Sequence, residues 1–336
     1  MMKNKGFTLI EMMISLVVGA FVLAGVMFTY MSMKTTTKAT MEIGELQESG
    51  RLAMDILAKD IERAGFWGTY DAETLNYSTL TQPSPPPDLP AVDCGEGENN
   101  SSFPVVSSSN FRYLYGKVVS NANELTCITT ATPGTDLIQI KGLFGNNFDN
   151  TVTNTANYYL ISNTGDGQLI TGTGAVVNLP KSNSTIWQYD HHMYYISQLS
   201  NQKVNGKSVT IPTLMRKRLT TLNNGSFIDD VIMEGVEDMR LIYGLDSSSN
   251  NRVDTYRTTD QMQDIDWEQS NASIISVQIF LLIRSLEEDF SKPAISKTFI
   301  LGGNGASIRK LIFNDQFKRT LFVSTVKINN GGTERW

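Results

Sequence analysis

The residues best placed to do chemistry lie at the very start of the chain. Lys3 and Lys5 precede Gly6-Phe7-Thr8-Leu9-Ile10-Glu11, and residues 12–31 then carry 16 apolar side chains and no charge. A carboxylate held ionised deep in an apolar helix costs about 2.5–3.5 kcal/mol, so Glu11 at the edge of this run calls for a cationic partner. Cleavage between Gly6 and Phe7 would create one, a new α-amino group four residues before Glu11. Gly6 suits such a cut because it offers no side chain to clash. Two other readings compete. A removed secretory signal is opposed by the length of the apolar run and the lack of an A-x-A site. A plain signal anchor fits the length and leaves Glu11 unexplained.

The remaining candidates are weaker. Cys94 and Cys127 allow a single pairing and lack the companions of a metal site, so they form one disulfide or stay as two thiols, depending on compartment. In an oxidising compartment the bridge would add roughly 3–4 kcal/mol by loop closure. Asp246, Ser248, Asn250 and Asp254 follow calcium-ligand spacing. Asn251 replaces the central glycine, however, and Arg257 stands where a closing Glu belongs, so a polar hairpin turn is the expectation and no metal or cofactor is assigned. His191 and His192 adjoin, point to opposite faces of a strand and cannot share one ion. Ser200-x-x-Lys203 and Ser324-x-x-Lys327 lack the motifs that accompany a hydrolase pair, and Gly302-Gly303 lacks a phosphate-loop context. Arg216-Lys217-Arg218 reads as a solvated strand edge, Glu287-Glu288-Asp289 as a solvated turn, and Trp67 as a buried anchor for the end of the preceding helix. No pattern supports an enzyme.

Stepping down the chain, residues 7–33 are long and apolar enough to cross a bilayer. Residues 34–68 continue the helix amphipathically, with Ile43, Leu46, Ala53, Leu57, Ile61 and Ala64 near one face and Gly65 and Gly68 as stops. Gly19, Ala20, Ala24 and Gly25 permit close helix contact. Residues 69–110 form a Pro/Ser/Asn-rich loop region, with half of the ten prolines between Pro83 and Pro90. From 111 to 336 the pattern is β-rich, with strands expected at 111–119, 136–144, 158–162, 185–197, 213–221, 274–285 and 319–329. A long helix followed by strands predicts an α+β fold, the helix lying on a largely antiparallel sheet.

Lys5-Gly6-Phe7-Thr8-Leu9-Ile10-Glu11 resembles the class III signal of type IV prepilins and of type II secretion pseudopilins. The blocks at 51–68, 235–246, 276–288 and 318–330 narrow the resemblance to the PilW family of type IV pilus assembly proteins, a minor-pilin group similar to J-class pseudopilins. The resemblance implies a type IV pilin-like fold with residues 1–6 as leader, cut by prepilin peptidase after Gly6 and N-methylated at Phe7, and with Glu11 neutralising a neighbouring subunit's amine. It further implies an inner-membrane single-pass subunit with a periplasmic head, later part of the pilus. Its partners would be other minor pilins, the major pilin, the inner-membrane assembly platform and a tip adhesin. In that oxidising setting Cys94 and Cys127 are expected to be bridged. A J-like secretion pseudopilin is the alternative, and a single-span periplasmic enzyme or binding protein a more distant one.

Composition agrees. The chain has 336 residues, 28 basic against 34 acidic, a formal charge of -6 and 18% charged residues. That balance argues against nucleic acid as a partner and against a highly charged disordered chain.

Overall fold

The computed structural model describes residues 6–70, 75–81, 90, 92–149, 151–180, 182–204, 207–222, 225–289 and 293–330, with the side chains of 81, 200–204 and 207–208 left aside. Lys3 and Lys5, and the proline tract apart from Pro90, lie outside them. Two compact units divide at Glu48/Ser49. The first is almost entirely helix: α1 begins at Leu9, and the whole helix runs Leu9–Glu62. An 18-residue window near its start has a mean hydropathy of 2.3 and no buried residue. No proline interrupts it, so nothing removes a ladder hydrogen bond.

In the second unit, Ala53, Leu57, Ile61 and Ala64 of the chain's helical stripe are fully buried. Their three- and four-residue spacing sets them on one face. Gly50 allows the approach of Phe322, whose ring lies 2.2 Å from where a Cβ would stand. The helix ends at Glu62, earlier than the expected boundary at 68, because the chain turns to join the sheet. The amides of Arg63 and Ala64 bond three residues back, and that of Gly65 leaves the helix for the Lys141 carbonyl at 3.1 Å. Gly65 and Gly68, both with φ near +70°, make that turn.

Among the described residues the head contains three sheets. The largest joins β1 (Leu80–Thr81), β2 (Leu114–Val118), β3 (Asp136–Asn147), β4 (Tyr158–Ser162), β5 (Gly167–Thr171), β6 (Thr185–Val204), β7 (Lys207–Thr220) and β8 (Ser226–Glu234). Its centre is the long β6, which pairs β3 along one edge and, in succession, β4 and β7 along the other. β1 runs parallel to β5; the remaining pairings of the sheet are antiparallel.

The second sheet has the order β10-β9-β11-β14, from β9 (Val236–Asp246), β10 (Thr255–Thr258), β11 (Ser273–Glu288) and β14 (Phe317–Lys327). Its inner strands are covered on both faces: Phe322 lies under Gly50, while on the opposite face Gly302 sits against Phe280 and Ile242. That is why β9 is buried almost throughout, without a solvent-facing alternation. A two-stranded hairpin, β12 (Ile295–Ile300) and β13 (Lys310–Asp315), completes the head.

The fold is thus α+β with a largely antiparallel head. Sequence periodicity missed β1, β5, β8, β9, β10, β12 and β13. In β8 the adjacent Asp229 and Asp230 break the apolar alternation, and β12 and β13 expose most of their side chains.

Candidate functional site

Gly6 and Phe7 are exposed, Phe7 to 85%. A Cβ at Gly6 would meet nothing within 4 Å. The chain's own fold therefore gives no reason for glycine at this position.

Thr8 and Glu11 form a reciprocal cap. Glu11 Oε2 accepts the Thr8 backbone N–H at 2.9 Å and its hydroxyl at 2.8 Å, while Thr8 Oγ1 accepts the Glu11 N–H at 3.3 Å. This is a capping box, in which the third helical residue reaches back to the residue before the helix. Glu11 thus has a local task that the sequence reading overlooked, although the T-x-x-E spacing was there to be read. Beyond it Leu16, Phe21, Leu23 and Phe28 are each at least 70% exposed, so the apolar surface offers itself to lipid or to other helices.

The head holds α1 by a polar contact inside the apolar stripe. Asp60, three residues after Leu57 and four before Ala64, accepts from His192 Nδ1 at 2.7 Å and from the Tyr194 hydroxyl, both through Oδ2. Burial would raise the Asp60 carboxyl. The hydrogen bond and charge of His192, the Tyr194 bond and Arg216 together outweigh it and hold the carboxyl below its usual range. An acid at a core-facing helical position was the available signal, and the sequence reading passed over it.

Other candidates find packing roles. His191, on the opposite face of β6, is fully buried between Ser102 Oγ at 3.0 Å and Gln139 Nε2 at 2.6 Å, and burial lowers it well below the ordinary histidine value. Trp67 is buried, stacked near Tyr189 at 6.2 Å and close to Phe111. Arg216-Lys217-Arg218 is not a solvated edge. β7 lies between β6 and β8, and Lys217 meets Asp229 at 2.8 Å while Arg216 and Arg218 meet Asp230 at 2.9 and 3.6 Å. Nor do Glu287 and Glu288 form a turn, because they extend β11, and Asp289 pairs with Lys318. Ser324 and Lys327 are three apart on β14 and so face opposite ways. The side chains of Ser200 and Lys203 lie outside the described residues.

Cys94 and Cys127 are bridged, with Cα atoms 5.1 Å apart. The Asp246 loop is the β9–β10 turn. Asp246 accepts the N–H groups of Ser248, Asn250 and Asn251, and Asp254 those of Ser247 and Ser248, so both carboxylates tie down the turn's own backbone. Among the described residues, no group of three or more His, Cys, Asp or Glu is arranged to hold a metal.

Two family models match separate parts of the chain. Residues 1–27 match the Prokaryotic N-terminal methylation motif, covering Gly6, Phe7, the cap and the first part of the apolar helix. Residues 193–330 match Type IV Pilus-assembly protein W, from within β6 through β14. The 51–68 block that contributed to the resemblance falls outside both. No curated protein and no solved structure matches the chain. With a methylation motif leading into an exposed apolar helix and the assembly-protein model covering the second sheet, the two matches together support a PilW-type pilus assembly protein with a prepilin signal.

Proposed function

We propose that this chain is a minor pilin that helps initiate pilus assembly. Prepilin peptidase cuts between Gly6 and Phe7 and methylates the Phe7 amine. The mature chain sits in the inner membrane by its apolar helix, with the head in the periplasm, and joins other minor pilins at the tip of the growing pilus, ahead of the major pilin. The observation that carries the reading is the prepilin motif leading into a capped helix whose residues 12–31 carry no charge and are long enough to cross a membrane. The open space around Gly6 supports it, since the demand for glycine then comes from the peptidase. Glu11 keeps its place in the cap and also faces the amine of a neighbouring subunit, a pairing that relieves a carboxylate near lipid.

The test is to delete the gene and quantify sheared surface pili after restoring either the wild-type chain or Gly6→Leu. Loss of pili that only the wild type reverses, with the variant accumulating at its uncut mass, is the expected result. Undiminished piliation in the deletion strain would refute the pilus role, and a secretion assay would then ask whether the chain serves a type II secretion machine.

A further inference from the structure

Lys141, on β3, is fully buried, and among the described residues the hydrogen bonds of its Nζ go to neutral acceptors. It donates to Asn100 Oδ1 at 2.8 Å and to the Arg112 carbonyl at 2.9 Å, with the Phe111 ring centroid 4.7 Å away. Lysine is almost never fully buried without an ionic partner. Burial lowers this amine well below the ordinary lysine value, the Asp93 charge opposing and Arg112 reinforcing. The uncharged form, with its lone pair, is thereby favoured.

A buried nucleophile can react only with what the fold sets beside it. Asn100 is itself 1% exposed, and the segment carrying it is fastened from several sides. Cys94 is bridged to Cys127, Gln139 Nε2 donates to the Cys94 carbonyl at 2.7 Å, and Asp93 Oδ2 accepts the Ser102 N–H at 2.8 Å. The carboxamide carbon of Asn100 is one bond from the oxygen that Nζ already touches, and Asn100 Nδ2 is held by the Glu96 carbonyl at 3.0 Å. Reactants fixed at hydrogen-bonding distance gain a large effective concentration.

We infer that Lys141 and Asn100 join in an intramolecular isopeptide bond. The Nζ lone pair adds to Cγ of Asn100, and the carbonyl electrons move to Oδ1. Collapse of that adduct breaks the Cγ–Nδ2 bond, and the nitrogen leaves as ammonia with a proton given up by Nζ. No oxidant, reductant or further reactant is consumed. The result is a second covalent tie on the 93–103 segment, fastening it to β3 as the disulfide fastens it to the 127 loop. A subunit that works under traction gains from both.

The full mature chain, purified from membranes, is reduced, alkylated and digested with trypsin. Reduction is essential because the disulfide joins the same two tryptic peptides, 64–112 and 118–141. The expected product is 64–112 still attached to 118–181, uncut after Lys141, at a mass below the sum by one ammonia, about 17 Da. Complete separation of the two peptides, with cleavage after Lys141, overturns the inference. In Asn100→Ala the linked species should vanish, and its persistence would mean a different acceptor and overturn the assignment. The wild-type mass decides the question whether or not that variant folds.

Discussion

Replacing Asp60 with alanine removes the acceptor shared by the His192 ring and the Tyr194 hydroxyl. Asp60 keeps 15% of its side chain exposed and His192 5%, so water can do little to replace the lost bonds. A hydrogen bond to a charged group contributes about 1.5–3 kcal/mol, and because both donors converge on one oxygen the combined loss should be about 3 kcal/mol. For a unit of this size that lowers the melting temperature by roughly 6–9 °C. The measurement is thermal unfolding of the mature chain in detergent at pH 7, followed by near-ultraviolet circular dichroism of the aromatic core. Asp55→Ala is the control, since Asp55 is 52% exposed and pairs with Lys59 on the solvent side, where such a pair contributes little. The effect also has a signed pH dependence. The folded Asp60 carboxyl lies below the ordinary aspartate value of about 3.9, so its stabilisation is complete above that pH and fades as pH falls through the lower folded value. A shift of less than about 2 °C for Asp60→Ala at pH 7, or one equal to that of Asp55→Ala, would refute the latch.

Three further outcomes follow from named contacts. Glu11→Gln keeps the cap acceptor and loses the charge, so it should be cleaved normally yet enter pili about as poorly as Glu11→Ala on immunoblots of sheared filaments; wild-type incorporation would show that charge is not what Glu11 contributes. Gly50→Ala places a methyl group on the Phe322 ring and should cost about 1–3 kcal/mol in denaturant unfolding, with Phe322→Leu restoring part of it; an unchanged midpoint would mean that the helix does not pack there. Asp238 shares the Arg309 guanidinium with Asp136, and burial, opposed by Arg309, pushes it up to about 7. Because the folded state then holds a proton that the unfolded chain releases near pH 4, stability from this group declines as pH rises from about 4 to 7, and Asp238→Asn should flatten that slope in melting curves; an unaltered slope would assign it to other groups.

How far the site was legible depended on how local each feature is. Gly6, Phe7 and Glu11 stand within six positions of one another, so their spacing already describes the chemistry. The capping box was equally local and went unread because Glu11 had a louder explanation. Asp60 is different: its position on the apolar stripe was visible, but His192 and Tyr194 lie more than 130 residues away, and only the pairing of helix and β6 brings them together. The basic cluster was misread for the same reason. Whether three cations are solvated depends on the neighbouring strand, and β8, which carries Asp229 and Asp230, was itself unrecognised.

The sequence by itself determined the long helix, its membrane-length apolar half, the prepilin signal and the β-rich head, because these rest on periodicity, length and short motifs. Tertiary structure decided that β6 is shared by β3, β4 and β7, that β9 and most of β11 are buried on both faces, and that α1 stops at Glu62 so that Gly65 can join β3. It also decided the surroundings of Lys141, which in sequence is one lysine among polar and apolar neighbours and in space is an amine sealed against Asn100. Burial and long-range pairing are properties of the packed chain. They set the charge and reach of a side chain, and no local pattern encodes them.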